Sequence, residues 1–251
     1  MARYALLLEY DGSPFRGWQR QAGGVSVQGV LEDAAGKLQR GTVATTVAGR
    51  TDAGVHAAGQ TVTLELGAAF PTEQLAPALN YHLRPHPVSV LRAAAAPAGW
   101  NARFSAIRRT YRYVILNRPA PPALAAGRVW HLPQELDAAA MAEAALALLG
   151  RHDFSSFRAA GCQAKSALRT LDRLAVSRVG ETIEITAVAR SFLYHQVRNI
   201  AGSLKLVGEG RWEPSRIAAV LAAADRRLAG PTAPAAGLTL LEVRYAQDPF
   251  A

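Results

Sequence analysis

Apolar positions recur along this chain with two periods, two residues and about 3.6, and the order in which the periods alternate occurs twice. An alternating run at Arg3 to Tyr10 predicts a strand. Val27, Val30, Leu31, Ala34, Ala35 and Leu38 then fall on one face of a helix from about Ser26 to Gln39. Strands at Thr42 to Val47 and Gln60 to Leu66, a short helix from about Thr72 to Tyr81 that contains Pro77, and a strand near Val88 to Ala94 complete the first series. The second opens with a strand at Arg109 to Leu116 and an Ala-rich helix to Leu149, for which Asp137 is the expected N-cap. Strands at Leu168 to Arg178 and Thr182 to Ala189 follow. A helix from about Phe192 to Val207 buries Val197, Ile200, Ala201, Leu204 and Val207, and an extra helix at Pro214 to Ala224 precedes a closing strand at Leu238 to Tyr245.

Two rounds of strand, helix, strand, strand, helix, strand are what two ferredoxin-like halves produce, so the expected class is α+β. The halves are placed at residues 1–104 and 105–251, joined through Pro97 to Phe104, with their strands forming one continuous, mostly antiparallel sheet. Helices on one face of such a sheet leave the other free for a large flat or concave partner. Loops rich in Pro and Ala, Pro119 to Ala126 and Gly230 to Gly237, are expected at the surface.

The chain has 251 residues, enough for one large or two small domains that bury a core without disulfides. The single cysteine, Cys162, leaves no disulfide framework and points to a reducing cytosol. No apolar run approaches the roughly 18 residues of a membrane span, and no leader pattern opens the chain. The net charge of +9 changes the picture more. Only Lys37, Lys165 and Lys205 among the 28 cations are Lys, and the rest are Arg. Excess cation attracts a polyanion by counterion release, and the guanidinium fork grips phosphate and stacks on bases. Nucleic acid is the favoured partner class, and single-stranded or loop RNA is read on open sheets by stacking on aromatics.

Candidate chemistry concentrates in AGRTDAGVHA, Ala48 to Ala57, between two predicted strands. An Asp two residues before a Gly is ordinary turn chemistry. This segment is longer than a plain hairpin loop and places Arg50 two positions before Asp52, where a cation can hold a carboxylate ionised or meet a phosphate. In YDGSPFRGWQRQ, Tyr10 to Gln21, Phe15 and Trp18 alternate with Arg16 and Arg20 in an expected exposed loop suited to stacking on RNA. A packed lid with Trp18 in the core fits the same residues equally well. Tyr111 and Tyr113 point to one face of RRTYRYVIL, Arg108 to Leu116, as either half-buried cross-strand aromatics or a stacking surface. In SFLYHQVRNIAG, Ser191 to Gly202, the spacing of Phe192, His195 and Arg198 places them on one helical face.

These segments together resemble the TruA-type tRNA pseudouridine synthases. GRTDAGVHA followed by Gly59 and Gln60 is similar to that family's signature, in which the Asp is the catalytic nucleophile. The Tyr10 to Gln21 segment resembles its YDG..F.GWQ.Q motif, and Phe192 to Asn199 its FL.H.VRN motif. GRHDFSSFRAAGCQ, Gly150 to Gln163, and APAAGLTLLEV, Ala233 to Val243, are weaker matches, and the likeness runs from Tyr10 to Tyr245. It implies Asp52 as nucleophile, Arg198 as its cationic partner, and Tyr111 as the ring that stacks on the target uracil and a candidate proton acceptor. It further implies Leu238 as an apolar wall, and Arg50, Phe15, Trp18, Gln19 and His56 as substrate contacts. A cofactor-free homodimer acting on uridines 38, 39 and 40 of the tRNA anticodon arm follows from the same resemblance. The chain departs from the pattern at Asn101, where the family commonly has His, and at His86, where an acidic residue is usual.

Two other readings stand beside it. A non-catalytic RNA-binding module explains the charge and the paired units, and a basic hydrolase would use Asp52 with His56. There is no Walker or dinucleotide glycine pattern, Pro85 separates His82 from His86 and spoils a helical metal pair, and no nucleophile-elbow motif supports a Ser/His/Asp hydrolase.

Overall fold

A computed structural model describes residues 2–251, which pack as two compact units. Among the described residues, unit 1 comprises 2–108 and 240–251, and unit 2 comprises 109–239. The expected second half extends to residue 251, whereas residues from Leu240 onward pack within unit 1.

Unit 1 runs β1 (Ala2–Tyr10), α1 (Val27–Gln39), β2 (Thr45–Val47), β3 (His56–Leu66), α2 (Thr72–Leu83) and β4 (Val88–Ala95). Its sheet has β1 between β4 and β3, with short β2 on β3, and every one of these pairings is antiparallel. This is the strand order of a ferredoxin-like unit. The later part of β10 (Leu238–Tyr245) lies beside β3. Ser26 caps α1, its side chain accepting from the Gly29 N–H, and the face buried is the one the periodicity marks. Helix α2 continues through Pro77 because Leu75, Leu79 and Leu83, one turn apart, are all buried, and each contributes about 1.5–3 kcal/mol by leaving water.

Unit 2 runs β5 (Ala106–Asn117, from residue 109 on), β6 (Trp130–Leu132), α3 (Ala138–Leu146), β7 (Gly150–Asp153), β8 (Leu168–Val179), β9 (Thr182–Ala189), α4 (Gln196–Gly208) and α5 (Arg216–Ala223). Strands β5, β9, β8 and β7 lie in that order with antiparallel pairing, and β6 adds to β5 in parallel. Asp137 caps α3 by accepting from the Ala139 and Ala140 N–H groups. The α+β class and the mostly antiparallel sheets with packed helices therefore hold.

Helix α4 differs from its expectation. It begins at Gln196 because His195 sits at φ 59°, in the left-handed region, so no helix continues back through it. Phe192 and His195 consequently precede the helix, and only Arg198 of the expected trio lies on it. Strands β6 and β7 are absent from the expectation. Each has four residues or fewer, too short to show an alternation. No helix among the described residues is long and apolar enough to cross a membrane.

Candidate active site

Two loops carry the chemistry of unit 1, residues 11–18 following β1 and residues 49–55 leading into β3, and they interlock. The Trp18 N–H donates to the Thr51 carbonyl at 3.0 Å, the Gly54 N–H to the Phe15 carbonyl at 3.3 Å, and the Val55 N–H to the Asp52 carbonyl at 3.1 Å. The backbones approach so closely that a Cβ on Gly12 would lie 2.0 Å from the Val55 carbonyl oxygen, and Gly54 takes φ 77° in the turn that carries Asp52. Glycine is therefore required in both motifs for physical reasons.

Beneath the loops lies a buried polar chain. The Gln60 side-chain amide donates to the Gly49 carbonyl at 2.8 Å and to the Tyr10 hydroxyl oxygen at 3.3 Å, and the Tyr10 and Thr51 hydroxyls share a hydrogen bond of 2.7 Å. Burial pushes the Tyr10 hydroxyl up to about 12, against the opposing effect of its bonds to Thr51 and Gln60, so it stays a neutral donor at neutral pH. Asp52 sits half-buried above this support and Arg50 is exposed.

His56 and the aromatics behave differently from expectation. His56 is buried, and its Nδ1 accepts the Gly12 N–H at 3.1 Å. The same nitrogen lies 3.2 Å from Asp11 Oδ1, so the imidazole ties the two loops together from inside. Phe15 and Trp18 are 3% and 2% exposed, with Trp18 tilted against Tyr10 at 6.1 Å between ring centroids. The expected exposed loop is thus the packed lid, because rings of that size gain more from burial than from waiting in water. Neither ring is open for stacking on a base. Gln19, Arg16 and Arg20 remain exposed.

An exposed aromatic that the motif reading missed is Phe104, 74% exposed with the Arg103 guanidinium 5.5 Å from its ring centroid. Its only sequence signal is its place between Arg103 and a turn. Asn101 shapes that turn, its Oδ1 accepting from the Arg103 and Phe104 N–H groups, so the departure at this position keeps a loop-forming side chain. His86, the other departure, packs beside Phe15.

In unit 2, Tyr111 and Tyr113 share a face of β5 as expected. Tyr111 is 8% exposed and meets Phe192 edge to face at 5.2 Å. Tyr113 is fully buried and donates to the Pro234 carbonyl at 2.8 Å. Burial raises its pKa, opposed by the positive charge of Arg198. Arg198 Nε donates to the Ala233 carbonyl at 2.8 Å, so Tyr113 and Arg198 pin adjacent peptides of the segment leading to buried Leu238. Asn199, which the motif reading gave no role, accepts from Thr232 Oγ1 and an Arg226 guanidinium nitrogen and donates to the Phe157 carbonyl. Among the described residues, no group of three or more His, Cys, Asp or Glu is placed to hold a metal ion.

The family described as tRNA pseudouridine synthase matches residues 7–105 and 144–246, which include Asp52, Arg50, Arg198 and Leu238. The chain is similar to "tRNA pseudouridine synthase A" of Acidiphilium cryptum, 63% identical over all of this chain and 99% of that protein. It is likewise similar to proteins of the same name from Paramagnetospirillum magneticum, 58% identical over 98% of this chain and 96% of the relative, and Rhizobium meliloti, 54% identical over 98% and 100%. A half-buried carboxylate on a loop fixed from below, an arginine-anchored segment in the second unit and full-length identity of this degree lead to one conclusion: the chain belongs to the tRNA pseudouridine synthase family, in its TruA-type branch.

Proposed function

We propose that this protein isomerises uridine to pseudouridine at positions 38, 39 and 40 of the tRNA anticodon arm, as a cytoplasmic homodimer without a cofactor, with Asp52 as nucleophile. The observation that carries the role of Asp52 is its setting. It is a half-buried carboxylate in the family's signature segment, on a loop held by main-chain bonds to residues 15 and 18 and by the Thr51–Tyr10–Gln60 chain below. Preorganised support of this kind keeps a reacting group oriented without reorganisation during the reaction.

A carboxylate is ionised at neutral pH and needs no base to activate it. Three routes are open to it: attack at ribose C1′, addition at uracil C6, or removal of a ribose proton to give a glycal. In each, the N1–C1′ bond breaks, the uracil turns, C5 bonds to C1′, and the hydrogen on C5 leaves. The target base must first leave its stack, which costs a few kcal/mol. Stacking on Tyr111 and a phosphate contact from exposed Arg50 offset that cost, and exposed Phe104 offers a further stacking face at about 1–3 kcal/mol per base. The family resemblance supports Arg198 as the cation of the chemistry, Leu238 as an apolar wall and exposed Gln19 as an RNA contact. With Phe15, Trp18 and His56 buried, their part is to hold the loops rather than to touch RNA.

The test uses a tRNA transcript carrying tritium at C5 of uridine. Wild-type protein is expected to release tritium to water with the RNA chain uncut and no cofactor supplied, and release should vanish when uridines 38 to 40 are replaced by cytidine. An RNA-binding module releases none and a nuclease shortens the RNA. Asp52→Asn should lose turnover by orders of magnitude while tRNA affinity stays within about tenfold. Appreciable turnover in that variant would remove Asp52 from the chemistry.

A further inference from the structure

The tritium assay addresses the reacting base, whereas the edge of unit 2 presents a second, separate concentration of charge. A pocket of about 170 Å³ opens where β7, β8 and the residues after β9 meet, lined by Arg151, Leu168, Arg169, Thr170, Arg190 and Ser191. That volume equals about six waters' share of liquid, room for a phosphate group with part of its hydration. Three of the six lining residues are arginines, two hydroxyls stand between them, and no carboxylate lines it. Among the described residues, none of the three arginines has an ion pair.

Arg169 makes the point sharper. Its Nε is buried with no hydrogen-bond partner. One of its terminal nitrogens donates only to the neutral carbonyls of Ser166 and Leu168. Burial presses this guanidinium toward losing its charge; nearby Cys162 opposes that, and Arg158 adds to it. A half-buried cation with an orphaned donor, facing two further arginines, is a costly arrangement unless an anion completes it. Arg190 is fixed in place through its main chain, since the Arg109 guanidinium donates to the Arg190 carbonyl.

Position identifies the anion. Tyr111 pairs across the sheet with Ala187 on β9, and Arg190 follows three residues later, just past the end of that strand. Arg169 and Arg151 lie one and two strands further across, on β8 and β7. With about 3.3 Å of rise per residue and about 4.8 Å between strands, the pocket is roughly 10–20 Å from Tyr111. At about 3.4 Å per stacked nucleotide, that is a span of roughly three to six nucleotides. We propose that Arg151, Arg169 and Arg190, with Thr170 and Ser191, form a binding subsite for a backbone phosphodiester of the RNA substrate, a few nucleotides from the uridine being isomerised. The subsite rests on the isomerase reading for its partner, and it sets how the RNA is held rather than how the base reacts.

Arg151 and Arg190 are exposed, so Arg151→Gln and Arg190→Gln test the subsite without disturbing the bonds of Arg169 to its own loop. Affinity for unmodified tRNA transcript is measured against salt concentration, and tritium release is measured at saturating tRNA. The double variant is expected to bind more weakly and to lose about one to two units from the slope of log affinity against log salt, one per contact. Turnover at saturation should match wild type, because neither side chain reaches the reacting atoms. Arg190→Glu should weaken binding further, and Arg211→Gln, at a surface arginine near Glu209 and outside the pocket, should leave the slope unchanged. An unchanged slope in the double variant, or an equal fall in the Arg211 control, overturns the subsite. Failure of the isomerase reading shows elsewhere, as wild-type protein that binds tRNA yet releases no tritium.

Discussion

Tyr10, the first residue of the YDG motif, supports the site from below rather than through its own chemistry. Its hydroxyl is hydrogen-bonded to that of Thr51, the residue before Asp52, and accepts a hydrogen bond from the Gln60 amide. Tyr10→Phe leaves the Thr51 hydroxyl and the Gln60 amide each short of a buried hydrogen-bond partner, a loss of about 1–3 kcal/mol. The pH dependence follows from the same burial. An unfolded tyrosine titrates near 10, whereas the folded one holds its proton to about 12, so ionisation favours the unfolded chain as pH rises between the two. Unfolding free energy measured by urea titration should therefore fall as pH climbs above about 10, and fall less steeply in Tyr10→Phe. Tyr113, also raised by burial, keeps part of the slope in the variant. An identical alkaline slope in wild type and variant would show that Tyr10 titrates normally. The sequence made Asp52, Arg198 and Tyr111 conspicuous because they lie in motifs. It left Tyr10 and Gln60 silent as partners, since their contact spans 50 residues of chain and nothing local records it.

Elements were legible where a period or a cap speaks locally. Ser26 and Asp137 announce the starts of α1 and α3, and the buried face of α1 is written in its spacing. The start of α4 was not legible, because Phe192 to Val207 carries an unbroken helical period and only the backbone of His195 ends it. The lid of Phe15 and Trp18 was evenly balanced in sequence, since rings next to arginines serve either burial or stacking, and packing against Tyr10 decides it. Within unit 2, α4 is held to the segment that precedes Leu238 by contact too close for any side chain. A Cβ on Gly202 would lie 1.7 Å from the Pro231 carbonyl oxygen. Gly202→Ala is therefore expected to cost about 1–3 kcal/mol through forced backbone shift, lowering the melting temperature by several degrees. Gly41→Ala, with nothing within 4 Å of its Cβ, should leave it near wild type. Equal melting temperatures for the two variants would show that the Pro231 segment yields freely.

At the scale of the whole molecule, the chemistry proposed is an isomerisation. Substrate and product have the same composition, nothing is oxidised, and no group is delivered, so the reaction calls for no electron carrier or donor. Turnover on folded tRNA should persist in the presence of chelator and without added nucleotide. A requirement for Mg²⁺ beyond that of tRNA folding would assign part of the catalysis to a metal. The charge of +9 serves the other half of the task, capture of a polyanion, and makes both affinity and its salt dependence properties of the arginine distribution.

Unit 1 has one more property with a history in time rather than in space. The loop bearing Asp52 belongs to a unit that includes residues 240–251: Gly59 packs on the Leu241 carbonyl, Tyr245 donates to the Ala102 carbonyl, and Phe250 joins Ala5, Ala48, Trp100 and Ala102 in one apolar cluster. Unit 2 is continuous in sequence, so every residue it needs has been synthesised while unit 1 still lacks its last strand and apolar cover. A nascent chain emerges from its first residue onward. The order of birth and the order of completion are thus reversed in this protein: the unit that carries Asp52 is begun first and completed last.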